Sequence, residues 1–260
     1  MTTEMIPRTN TEPWYAGMRN LLKREIYHER SRMYWIQQLL VWTLFTNGMI
    51  ALILALPADI IEGVEAMYVL SLATSYGILT LLIVIFVPIL LQGAVIDDKV
   101  SGTTAWILSK PVSKKAYLLS KLTASILSIV VVSVVINGAI SYGVFSAFGY
   151  TLNLLGFVMN LGLTSIVVVY FACLTIMLGT FTTSRGKVLA VAVVIGFGAQ
   201  LIARYFPLIL FIIPYSLPVI GIGFITGTSV AGLEVIFLSA VVQIIAFTAI
   251  ALFVFDRTEL

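Results

Sequence analysis

Side chains able to do covalent or acid–base chemistry are few: one histidine, one cysteine and twelve carboxylates in 260 residues. Nucleophilic catalysis needs a Ser, Cys or Thr beside a base, with a third group to orient the base. Cys173 lies in an apolar run and reads as a small buried hydrophobe. His28 falls in a polar helical stretch and reads as a solvated side chain. Neither HExxH nor GxSxG occurs, and a lone cysteine excludes disulfide frameworks and cysteine metal clusters. The nearest approach to a P-loop runs from Gly179 to Lys187. Its glycines are too far apart, and Val188 stands where a Ser or Thr would hold magnesium. The chain is therefore expected to be no enzyme, with no catalytic or metal-binding residue of its own.

What remains is a polar stretch, Asp97 to Lys121, reading DDKVSGTTAWILSKPVSKKAYLLSK between two long apolar runs. Its chemistry is that of docking. Ile96, Val100, Thr103 and Ile107 fall at helical spacing and predict one apolar side, which leaves Asp97, Asp98, Lys99 and Ser101 wet. Pro111 cannot donate to a preceding turn and pushes Lys110 extended, so Ser109-Lys110-Pro111 breaks the helix. Ser113 fits an N-cap for a new helix from Lys114. The product is a helical hairpin outside the bilayer, bearing Lys110, Lys114 and Lys115. Such a knob can pass a push from a soluble partner into two membrane helices, while a basic loop that only fixes topology is the alternative.

The elements that position the hairpin are oily. The chain is 60% hydrophobic and 10% charged, against about 25% charged for a soluble domain, which makes it a membrane protein. Residues 1–13 form a polar tail. Residues 14–35 read as a basic amphipathic helix in the headgroup plane, its stripe formed by Trp14, Met18, Leu21, Leu22, Ile26 and Met33. Arg19, Lys23, Arg24 and Arg30 supply its charge. The rest, 36–260, is a six-span domain with spans predicted at 36–56, 70–94, 122–148, 154–181, 188–203 and 230–255, and with the hairpin at 95–121. Pro88 is expected to kink the second span. Pro207, Pro214 and Pro218 with Gly221, Gly223 and Gly227 predict short broken helices in the outer leaflet before the sixth.

Fourteen of fifteen Lys and Arg fall in the N-terminal segment, the hairpin, the 182–187 loop and the C-terminal end; Arg204 is the exception. The positive-inside rule then places both termini and the hairpin in the cytoplasm of a multi-pass cell-membrane protein. The small net charge of +3 gives no reason to expect a nucleic-acid partner. Within the spans the only ionisable residues of note are Glu234 and Arg204, near outer ends. That disfavours a membrane-embedded lipid enzyme and an ion-coupled carrier, both of which need acids or histidines at depth. Asn47, Asn137, Asn160, Gln200 and Gln243 are expected to satisfy one another between helices.

Asp98-Lys99-x-x-Gly102-Thr103, Leu108-Ser109-x-Pro111-Val112-Ser113-Lys114, Tyr117 and Lys121 resemble the E-R-x-x-G-T…L-L-S-x-P-V-S-R…G-K signature of ABC-2 type permease subunits of ABC transporters. The element order and the ending Phe253-Val254-Phe255-Asp256-Arg257 are similar too. Asp98 replaces Glu, Lys99 and Lys114 replace Arg, and Ser120 replaces Gly; charge is kept but arginine's bidentate fork is lost. The resemblance implies that the hairpin docks on a separate ABC ATP-binding subunit through Asp97, Asp98, Lys99, Ser101, Gly102, Thr103, Trp106, Ser109, Pro111, Ser113 and Lys114. Trp14, Arg19, Lys23, Arg24 and Arg30 would move with it, and Ser184, Arg185 and Lys187 form a second cytoplasmic loop. It also implies ATP and Mg bound by that partner, a second permease subunit in a homodimer, and export. A component that uses ATP to move a partner protein shares all these features.

Overall fold

Six helices are long and apolar enough to cross a membrane in the computed structural model of the chain. The structure describes residues 13–31, 34–57, 63–203, 205–206, 208–209, 212–228 and 231–257, and these contain helices and no β-strand. Arg204, Asp59, Glu62, Pro207 and most of the 1–13 tail lie outside the described residues, as do the side chains of His28 and Arg30.

Helix α1 (Met18–Ser31) precedes the first span, which is built from α2 (Tyr34–Trp42), a π-helical segment (Thr43–Asn47) and α3 (Gly48–Leu54). Helix α4 (Val64–Leu91) is the second span. It starts six residues before the predicted boundary, because Glu65 sits in its first turn, where a carboxylate complements the helix dipole. Pro88 lies inside α4, and the helix ends one turn later at Leu91. Two short helices follow, α5 (Ile96–Val100) and α6 (Thr103–Leu108). The third span runs from α7 (Lys114–Ile129) through a π-helical segment (Val130–Ile136) into α8 (Asn137–Ala147).

The fourth span, α9 (Leu154–Phe181), is capped by Asn153, whose side chain accepts from the Gly156 amide at 3.3 Å. The fifth is α10 (Arg185–Ala203). After it come α11 (Leu217–Ile220) and α12 (Ile222–Thr226), both short as the Pro and Gly pattern predicts, then the sixth span, α13 (Leu233–Arg257).

Helix α9 is the axis of the bundle. Of its most apolar stretch 61% is buried, against 22% for α10 and 17% for α13, which leaves those two mainly facing outward. It packs on α4, α7, α10, α11, α12 and α13. Gly156 allows the closest of these approaches: a Cβ there would lie 1.9 Å from the Phe224 carbonyl oxygen in α12. Backbone cannot give way as a flexible side chain does. Gly156→Ala is therefore expected to cost about 3 kcal/mol, the upper end of overpacking penalties, measured as a lowered midpoint of thermal unfolding in detergent. Gly143→Ala, whose Cβ would meet nothing within 4 Å, is the control expected to hold or raise that midpoint.

The amides pair partly as predicted. Asn47 Nδ2 donates to Asn137 Oδ1 at 2.8 Å, Thr46 Oγ1 donates to the same oxygen at 3.0 Å, and Ser141 Oγ donates to Asn47 Oδ1 at 2.5 Å. This knot joins the first and third spans beside their π-helical segments. Gln243 instead bonds Ser239 Oγ, the Ile212 carbonyl and the Tyr170 hydroxyl, and Gln200 faces outward.

Candidate functional site

At one end of the bundle α5, α6 and the turn to α7 form a hairpin over a separate small core. Leu21, Ile107, Tyr117, Leu118, Ile176 and Phe255 bring α1, α6, α7, α9 and α13 together there. The Tyr117 and Phe255 rings stack at 5.6 Å.

The hairpin's inner boundary differs from the predicted one. Gly102 takes φ +73°, a left-handed conformation open to glycine at little cost, and ends α5 before α6 begins. Ile96 and Ile107 are buried as expected, but Val100, on the same predicted stripe, is 71% exposed. Asp98 and Lys99, predicted to be wet, turn inward instead.

Asp98 is the centre of a partly buried ionic cluster. Its Oδ2 accepts from the Tyr117 hydroxyl at 2.6 Å and pairs with Lys121 Nζ at 2.9 Å, and Lys121 reaches Glu25 of α1 at 3.6 Å. Side-chain exposure is 20% for Asp98, 11% for Lys121 and 10% for Glu25, so solvent screens the cluster little. Glu25 thus occupies the buried side of α1 with Leu21, while Ile26, on the predicted stripe, is exposed. An acid can lie there because Lys121 compensates it.

The lysines cap other helices. Lys99 Nζ donates to the Thr180 carbonyl at 2.9 Å, at the C-terminus of α9. Lys114 Nζ donates to the Asp256 carbonyl at 2.9 Å, at the C-terminus of α13. Each places a cation on carbonyls that the helix leaves unpaired, at the negative end of its dipole. Compact ammonium groups suit this role.

The corner is fixed from two sides. Ser113 is the N-cap of α7 and accepts from the Ala116 amide at 3.0 Å. Its hydroxyl donates to the Trp14 carbonyl and its amide to the Ala16 carbonyl at 3.3 Å, which docks the turn before α1 on the corner. A bond of 2.7 Å from the Val112 amide to the Lys110 carbonyl closes a three-residue turn around Pro111.

Asp97 holds α10. Arg185 reaches Asp97 Oδ1 through Nη2 at 2.6 Å and Nε at 2.7 Å. With side chains 60% and 47% exposed, this pair adds about 1 kcal/mol at most. The predicted 182–187 loop is shorter than its sequence suggests. Ser184 carries the first helical acceptor, its carbonyl taking the Val188 amide, so Arg185 and Lys187 belong to the first turn of α10. Lys187 faces outward.

The residues inferred from sequence thus divide. Asp98, Lys99, Ser113 and Lys114 bind the hairpin to the bundle. Ser101, Gly102, Trp106, Ser109 and Pro111 are exposed, with Thr103 half-buried and bonded to Ser101 across 2.8 Å. Trp106 is 61% exposed, with Lys110 Nζ 3.7 Å from its ring centroid. Glu25, and the roles of Phe255 as the ring stacked on Tyr117 and of Lys121 as a bridge, were not signalled, because their partners come from distant parts of the chain. Trp14, Arg19, Lys23 and Arg24 are exposed around α1.

The described residues define a multi-pass membrane protein built of helices, with a hairpin wired to several span ends. Comparison with protein-family models gives no match, and comparison with curated proteins gives none.

Proposed function

We propose that this chain is the permease subunit of an ATP-driven exporter of the ABC-2 type, in which the hairpin receives motion from a separate ATP-binding subunit. One observation carries the reading. The hairpin's inner side is tied by Asp97, Asp98, Lys99, Ser113 and Lys114 to α10, α7, α9, the turn before α1, and α13, while its outer side presents an exposed tryptophan. A knob so connected transmits displacement to many helices at once.

On this reading the hairpin and both termini face the cytoplasm, consistent with the lysine and arginine distribution. ATP and Mg are bound by the partner, and a second copy of the permease completes the transport path. The substrate moves between or along the two copies. Co-expression with candidate ABC ATP-binding subunits from the same genome tests the proposal. A stable complex in detergent, with ATP hydrolysis altered by the permease, is the expected result; a permease that assembles with no ATPase overturns it.

A further inference from the structure

A hollow of about 370 Å³ lies between α1, α2 and α7, on the outside of the bundle. Ile26, Trp35, Ala124, Leu127, Ser128 and Val131 line it. It exists because Ala124 and Ser128, one helical turn apart, are small, while Leu127 and Val131 form its ridge and α1 roofs it through Ile26. Trp35, Leu127 and Val131 are exposed, so the hollow opens sideways, where hydrocarbon lies around a membrane-spanning helix.

The face of α1 that carries Ile26 also carries Arg19 and Lys23, seven and three residues earlier and therefore on the same side of the helix. Both are exposed, and among the described residues neither forms an ion pair. An apolar groove beside two exposed cations of α1, with a tryptophan at the start of the span, complements a molecule with an anionic head and a hydrocarbon tail.

We propose that the groove is a binding site for one anionic phospholipid, its acyl chain between α1 and α7 and its phosphate on Arg19 and Lys23. This depends on α1 lying at the membrane surface, not on the ATPase reading. The bound chain would brace α1 against α7 beside the Glu25–Lys121 contact.

The test is native mass spectrometry of the full chain alone, released from micelles holding phosphatidylglycerol and phosphatidylcholine of identical chains. Because no ATPase is present, the result is independent of partner coupling. Wild-type protein is expected to retain phosphatidylglycerol about 30-fold over phosphatidylcholine, the ratio two surface cations give. Arg19→Gln with Lys23→Gln, which leaves the groove intact, is expected to bring the two lipids to parity. Ser128→Phe and, separately, Val131→Trp fill the groove and are expected to abolish retention of both in a protein that stays monodisperse. Excess soluble glycerol phosphate should displace nothing. Equal retention by wild-type protein overturns the proposal, as does selectivity that survives the double charge variant. So does displacement by glycerol phosphate, or a dimer that Ser128→Phe converts to monomer, which would place a second copy in the groove.

Discussion

Lys121→Met is expected to lower stability by about 3–5 kcal/mol, the cost of removing one partner from a buried ionic group. Methionine keeps most of the stem's volume, so the loss is electrostatic rather than steric. Without the ammonium, Glu25 and Asp98 face each other unneutralised from two different helices. Either they repel, which drives α1 from α7, or one of them takes a proton. Thermal unfolding in detergent reads the loss. Limited trypsin digestion adds a local measure, since Arg19, Lys23 and Arg24 become better substrates if α1 lifts. Adding Glu25→Gln to Lys121→Met should recover part of the stability. An unchanged midpoint together with unchanged digestion would show that the cluster holds nothing.

Trp106→Ala is expected to do the opposite: it leaves the fold nearly untouched and, on the proposed function, removes affinity for the ATP-binding subunit. A side chain this exposed contributes within about 0.5 kcal/mol to stability, as surface positions generally do. Tryptophan at the centre of an interface loses about 2 kcal/mol or more on truncation, roughly 30-fold in Kd. The Lys110 contact pre-orders the indole, so little conformational freedom remains to be lost on docking. On the proposed reading, titration of an ATP-binding subunit against the purified chain measures the change. Equal affinity for wild type and Trp106→Ala would remove the hairpin's outer side from the interface.

How much of this was legible depended on the distance over which each cause acts. Membrane crossing needs about 20 apolar residues in a row, and that signal survived in all six helices. Caps act over three residues, so Ser113 could be read from its neighbours, and Asn153 could have been by the same rule. The end of α5 could not, because Gly102 looks the same in sequence whether it takes a left-handed turn or continues the helix. The burial of Glu25 and Asp98 depends on Lys121, and the turns of Lys99 and Lys114 depend on carbonyls of Thr180 and Asp256. Such pairings leave no local trace.

The two π-helical segments have a geometric consequence of their own. A wide turn holds one residue more than the α-helix on either side, so everything beyond it is rotated by about 100°, one residue's share of a helical turn. Asn47 closes one wide segment and Asn137 follows the other directly. The extra residue is therefore a phase correction that aims each amide at its counterpart. Were the first and third spans wound as regular helices throughout, one of these amides would swing toward hydrocarbon and its hydrogen-bonding groups would go unmet. The facing polar pair thus specifies the pitch of both helices at that depth.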